Sequence, residues 1–238
     1  MTDTAIHYSA GARNYIGTFI AARVETPRAG VVLLPDWRGQ GPLAHDHAQH
    51  LIALGCTVVI ADLYGDGFNP DSPDQVGPMV QHLLGHRHEG AAAVASCVAA
   101  LKAALPEGTP IFCLGFSAGG TAALDFGRSG GAVAGIITCS ALLKAAAEGM
   151  GTRIAAPVLV LQGTQDQVSP MAVIAELVAE MDAAGNDLRV MLFSQTGHAF
   201  DNPEAGSDPK ARLCYSPLSA ARARSAIKAF IDEQVEAS

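Results

Sequence analysis

A chain of 238 residues, 49% hydrophobic and 16% charged, is long enough to close one full-sized apolar core. Its formal net charge of −8 argues against a nucleic-acid or anionic-membrane surface, and no apolar run reaches membrane-spanning length. The five cysteines, Cys56, Cys97, Cys113, Cys139 and Cys214, are odd in number and scattered, mostly in apolar segments, and so read as buried thiols rather than a disulfide framework.

The opening residues Met1-Thr2-Asp3-Thr4 carry neither a basic nor an apolar targeting region, which predicts a cytoplasmic protein. Residues 6–8 and 15–22, with Gly11 and Asn14 between them, predict two antiparallel strands at a sheet edge. Residues 30–35 (G-V-V-L-L-P) predict a buried strand, and 43–54 a helix stopped by Gly55. The run 57–61 (T-V-V-I-A) predicts the next strand. Residues 63–78, rich in Gly, Pro, Asp and Asn, predict a long loop of the kind that builds binding surfaces. A short helix is expected over 80–84 and a longer, alanine-dense one over 89–105.

The next stretch organises the rest. Pro110-Ile111-Phe112-Cys113-Leu114 runs straight into Gly115-Phe116-Ser117-Ala118-Gly119-Gly120 and then into small helix formers, predicting a buried strand, a sharp turn with Ser117 at its apex, and a helix over 118–126. Side chains at 115 and 119 would collide with the neighbouring strand and helix, which is why such a turn takes glycine there. Strands follow over 133–139, 157–161 and 188–193, with helices over 171–184 and 219–235. Strands alternating with helices, and aliphatic runs without polar alternation, predict a single α/β domain over 1–238. Its sheet is mostly parallel and doubly wound, with helices on both faces.

A serine hydroxyl needs a base within hydrogen-bond reach. His198, after the strand 188–193, and Asp166, after the strand 157–161, both lie beyond carboxyl ends of strands, where open α/β sheets place ligands. The order Ser117, Asp166, His198 is that of the α/β-hydrolases. His198 is the expected general base, and Asp166 the residue that orients its imidazole. The Ala118 amide, opening the helix, and the Trp37 amide, on the loop after the first buried strand, are the expected oxyanion donors. His45, His47, His50, His82, His86 and His88 lack an accompanying metal-ligand motif, so no metal and no cofactor are expected. A carboxylic ester or lactone is the expected substrate. A thioester, peracid or short-peptide reaction on the same triad stays open, as does, more remotely, a non-catalytic binding module on this fold; the chain is expected to act as a monomer or homodimer.

The pieces V-V-L-L-P-D-W-R-G, A-D-L-Y-G, G-F-S-A-G-G, G-T-Q-D-x-V and G-H-A-F-x-N-P together resemble the dienelactone hydrolase family over nearly the whole chain. The resemblance implies an α/β-hydrolase fold and a nucleophile at the elbow, where the founding members carry cysteine and this chain has Ser117. It places the family's loop glutamate on Asp36. It also implies arginines gripping a substrate carboxylate, but one of those positions falls here on Asn202, while Arg38 and Arg87 are expected near the pocket. Tyr64 and Phe200, inside matched motifs, are expected beside the substrate as well. These departures point to a neutral ester or lactone.

Overall fold

The structure, a computed structural model, describes residues 3–208 and 211–237. Among these residues eight strands form one sheet: β1 (Thr4–Ala10), β2 (Arg13–Ile20), β3 (Ala29–Leu34), β4 (Cys56–Ile60), β5 (Ile111–Phe116), β6 (Gly135–Cys139), β7 (Val158–Gly163) and β8 (Leu188–Phe193). Their spatial order is β1-β2-β4-β3-β5-β6-β7-β8, antiparallel in the first two pairings and parallel in all others. The helices are α1 (Pro42–Ala53), α2 (Val76–Gly85), α3 (Arg87–Ala103), α4 (Ala118–Arg128), α5 (Met171–Ala183) and α6 (Pro217–Glu236). This is the α/β-hydrolase architecture.

Period-two geometry sends alternate residues of a strand to opposite faces. Val31 and Leu33 of β3 therefore pack with Leu51 and Ile52 of α1 and Ile227 and Phe230 of α6. Val32 and Leu34 pack on the other face with Leu101 of α3, Leu124 of α4 and Leu177 of α5. Strands β3 to β7 are buried along their whole length, as unbroken aliphatic runs require, whereas β8 is an edge strand with Met191 and Leu192 exposed.

The segment expected to be a loop through Pro78 is helical from Val76, after a short 3-10 turn at Pro73–Gln75. Pro78 lies in the first turn of α2, where a backbone N–H has no carbonyl to reach and its loss costs nothing. A proline that reads as a breaker in sequence is here part of a helix start.

A buried ion network ties the helices beneath the elbow. Asp125 of α4 accepts from Arg87 Nε at 2.7 Å and Nη2 at 2.5 Å, and lies 3.4 Å from Arg128 Nη1. Arg128, its side chain fully buried, also donates to Glu180 of α5 at 2.6 Å and to the Lys144 carbonyl at 3.0 Å. Removing one member of such a network leaves an uncompensated charge in a dry environment. Asp125→Ala is accordingly expected to destabilise the fold by about 3–5 kcal/mol, read as a lowered urea midpoint with an unchanged slope.

Candidate active site

Strand β5 ends at Phe116 and α4 begins at Ala118, so Ser117 alone makes the turn, with φ +48° and ψ −115°. Positive φ is costly for a residue with a Cβ, and the neighbouring glycines show what forces it. A Cβ on Gly115 would meet the carbonyl oxygen of Gly119. One on Gly119 would meet the carbonyls of Leu34 and Pro35. The helix thus crosses directly against the strands, and the serine side chain is pushed outward, half-buried, into a cavity of ≈ 780 Å³.

Three side chains from three loops meet at this rim. Ser117 Oγ lies 3.1 Å from His198 Nε2, and His198 Nδ1 lies 2.8 Å from Asp166 Oδ2. Asp166 is buried, but each carboxylate oxygen is satisfied: Oδ1 accepts from the amides of Val168 and Ser169 at 2.7 and 3.0 Å, and Oδ2 also accepts from Gln162 Nε2 at 2.6 Å. With His198 Nδ1, four donors meet this one carboxylate. With Oδ2 an acceptor, Nδ1 must carry its hydrogen, which leaves Nε2 as the lone-pair nitrogen facing Ser117.

A segment that carries no sequence motif binds these loops together. The chain leaving β6 accepts from Ser117 N at Cys139 O (3.3 Å), and Leu142 N donates to Ser117 O (2.9 Å). Thr121 of α4 donates to the Leu142 carbonyl. On the acid side, Gln162 brackets Ala141 by accepting from its amide and donating to its carbonyl, while Ser169 Oγ donates to the same carbonyl and accepts from Leu143 N. On the base side, Ser140 Oγ accepts from the Ala199 amide at 2.7 Å. Ser140 also comes within 3.5 Å of His198, but on the Nδ1 side already held by Asp166, and it is fully buried. Ser117 lies on the Nε2 side and lines the cavity, which Ser140 does not.

Trp37 and Ala118 both line the cavity. The Ala118 amide opens α4, where first-turn N–H groups have no intrahelical acceptor and the helix dipole is positive. Tyr64, expected against the substrate, instead donates its hydroxyl to the Trp37 carbonyl at 2.7 Å and is not among the residues lining the cavity. Burial raises its pKa above the usual tyrosine value, so it stays a donor there. Asp62 pins the following turn by accepting from the amides of Ile16, Tyr64, Gly65 and Gly67.

The remaining expected contacts divide. Asp36, Arg38 and Asn202 line the cavity, but Asp36 turns both oxygens to Arg38, whose Nη1 reaches Glu204 at 3.0 Å. Burial opposes charge on Arg38, yet Asp36, Glu204 and Asp201 together hold its pKa above the ordinary value. Asn202 Oδ1 accepts from Glu204 N and so caps a short turn. Arg87 is committed to Asp125 and the Ala145 carbonyl in a smaller cleft it shares with Ala118, and Phe200 is fully buried against Phe193. Neither lines the cavity.

The histidines have ordinary roles. His82 packs against His86 with the rings tilted by 31° and accepts from Arg13, while His47 is buried, stacked on Phe116 with Nε2 3.1 Å from Asp201. Among the described residues no group of three or more His, Cys, Asp and Glu could hold a metal ion. Cys56, Cys97, Cys113 and Cys139 are buried free thiols and Cys214 is half-buried; burial pushes Cys56 up to about 11 and Cys97 to about 12. Among the described residues no helix is long and apolar enough to cross a membrane.

The model of the dienelactone hydrolase family matches residues 16–235. The chain belongs to the dienelactone hydrolase family. Members of this family are hydrolases, and a small-molecule substrate follows from that membership. No curated protein sequence matches the chain. Among solved structures, one described as m3DLH is 28% identical with a TM-score of 0.89, each chain covered over 98%. A dienelactone hydrolase-like promiscuous phosphotriesterase from metagenomic libraries is 27% identical, with the same TM-score and coverage. A carboxylesterase from Lactobacillus plantarum, at 15% identity and TM-score 0.67 over 99% of this chain and 98% of its own, shares the fold.

The ties from the β6 exit to the histidine and aspartate loops can be cut singly. Ser140→Ala orphans the Ala199 amide, and Gln162→Leu removes one donor from Asp166 together with both bonds to Ala141. Each is expected to lower hydrolytic kcat by about tenfold, near 1.4 kcal/mol, with KM within about twofold. A fall in KM-dependent terms alone would mean that these residues shape binding instead.

Proposed function

We propose that this dienelactone hydrolase family member is a serine hydrolase acting on carboxylic esters or lactones, with Ser117 as nucleophile, His198 as base and Asp166 as its orienting partner. The observation that carries the reading is the unbroken line from Asp166 Oδ2 through His198 to Ser117 Oγ, at 2.8 and 3.1 Å, opening on a cavity. In this reading the whole chain acts as one domain.

Ser117 Oγ attacks the ester carbon while its proton passes to His198 Nε2. Charge gathers on the former carbonyl oxygen, which the Ala118 and Trp37 amides stabilise. The tetrahedral intermediate collapses as Nε2 hands its proton to the departing alkoxide, leaving an acyl group on Ser117. Water, deprotonated by the freed imidazole, then releases the acid. Asp166 keeps Nδ1 protonated and stabilises the imidazolium in both halves. No cofactor enters this scheme. The family's usual thiol could be held by a local charge, whereas a hydroxyl cannot do without its histidine.

Two outcomes test the reading. A fluorophosphonate probe is expected to form one adduct, on Ser117, and none on Ser117→Ala; an unlabelled folded wild type would sink the proposal. The rate should decline on the acid side as His198 takes up a proton, because a protonated Nε2 no longer accepts from Ser117. A pH-independent rate across that limb would remove His198 as the base. Thioesters, peroxide as acyl acceptor and short peptides belong in the same substrate panel, where faster turnover than of oxygen esters would reassign the physiological acyl compound.

A further inference from the structure

We infer that the acyl subsite is the apolar wall presented by α2, and that it selects uncharged acyl groups with an extended hydrocarbon arm. This deepens the serine-hydrolase reading and rests on it.

The lining of the cavity is sorted by side. Gly77, Val80, Gln81 and Leu84 line it at spacings of three, four and seven along α2, so one face of that helix forms a wall. Leu142 and Val168 continue the apolar surface. Leu84 also shares a smaller cleft with Ala118, which puts this wall on the side of the elbow and its oxyanion donor. Ala199, Asn202, Glu204 and Ala205 lie on the histidine loop, together with Leu213, which bridges to His198. The alcohol leaves on the side of the group that protonates it, His198. The acyl group, bonded to Ser117, is left with the other side, which is α2.

Charge in the cavity agrees. Arg38 is neutralised by two carboxylates, Asp36 and Glu204. Arg87 lines the smaller cleft beside Leu84 and Ala118 and is neutralised there by Asp125. Arg212 stands exposed at the rim, where solvent screens it. An acyl carboxylate placed against Val80 and Leu84 would lose its hydration with no unpaired cation there to replace it.

The experiment is a series of p-nitrophenyl esters from acetate to decanoate, plus the anionic hemisuccinate, on wild type, Val80→Trp and Leu84→Trp. Active sites are counted by fluorophosphonate labelling. Both positions are half-buried, which leaves a larger ring room without overpacking the core. In wild type kcat/KM should rise with chain length beyond acetate, by up to about fourfold per methylene, and butyrate should exceed hemisuccinate. In either Trp variant the octanoate-to-acetate ratio should fall at least about tenfold. Normal labelling of Ser117 with a flat chain-length profile, or with hemisuccinate preferred, overturns this inference and leaves the serine mechanism standing. An unchanged octanoate-to-acetate ratio in a folded, labelled variant overturns it too. Absent labelling brings down the mechanism and this inference with it.

Discussion

The peptide unit of Ser117 is gripped from both sides by one short piece of chain. Its N–H goes to Cys139 O and its carbonyl receives Leu142 N, both from the stretch leaving β6. Because β6 lies between β5 and β7 in the sheet, that stretch is also the natural neighbour of the loop that carries Asp166. One sheet position therefore couples Ser117 to the Asp166 loop. Ser140 extends the coupling to the histidine loop through Ala199. Each link is a buried hydrogen bond, which is modest to form but expensive to leave unmade, so the loops are constrained together rather than one by one.

Sterics add what hydrogen bonds do not. Gly115, Gly119 and Gly163 stand where a Cβ would strike backbone rather than a movable side chain: Gly119 O for the first, the Leu34 and Pro35 carbonyls for the second, Thr196 O for the third. The first two let α4 close on the sheet. The third lets the segment before His198 lie against the end of β7, so that the imidazole approaches Asp166. The same close approach at two distant points in the chain sets the line of donors and acceptors across the rim.

What was legible beforehand follows from periodicity and from local turn chemistry. Aliphatic runs bounded by Gly and Pro marked every inner strand, and G-F-S-A-G with loop residues at later strand ends marked the three side chains that meet at the cavity. Pairing across the fold was not legible. Nothing near Arg87 in sequence says that its guanidinium finds Asp125, 38 positions away, rather than a pocket. Gln162 and Ser140 belong to no motif, since an amide or hydroxyl at a strand end is as often a turn residue as a support for a carboxylate. Tyr64 and Phe200 lie in matched motifs for a different reason from substrate contact: one steadies the Trp37 loop, the other fills the core.

Backbone strain shows where these constraints bear. Among the described residues five other than glycine have positive φ, and three of them, Ser117, Ser140 and Ala199, sit on the three segments that meet at His198. Each costs about 1–3 kcal/mol and persists only if its surroundings over-determine it. Those surroundings are mutual: Ser140 holds the amide of Ala199, and the chain just before and after Ser140 holds the peptide of Ser117. A glycine at any of the three would relieve the local strain but would also free the backbone to leave the geometry, and at Ser140 and Ser117 it would delete the hydroxyl the neighbours use. Strain and chemistry thus select the same residues, because the hydroxyl that must be reached by another group is the one whose backbone must be bent to present it.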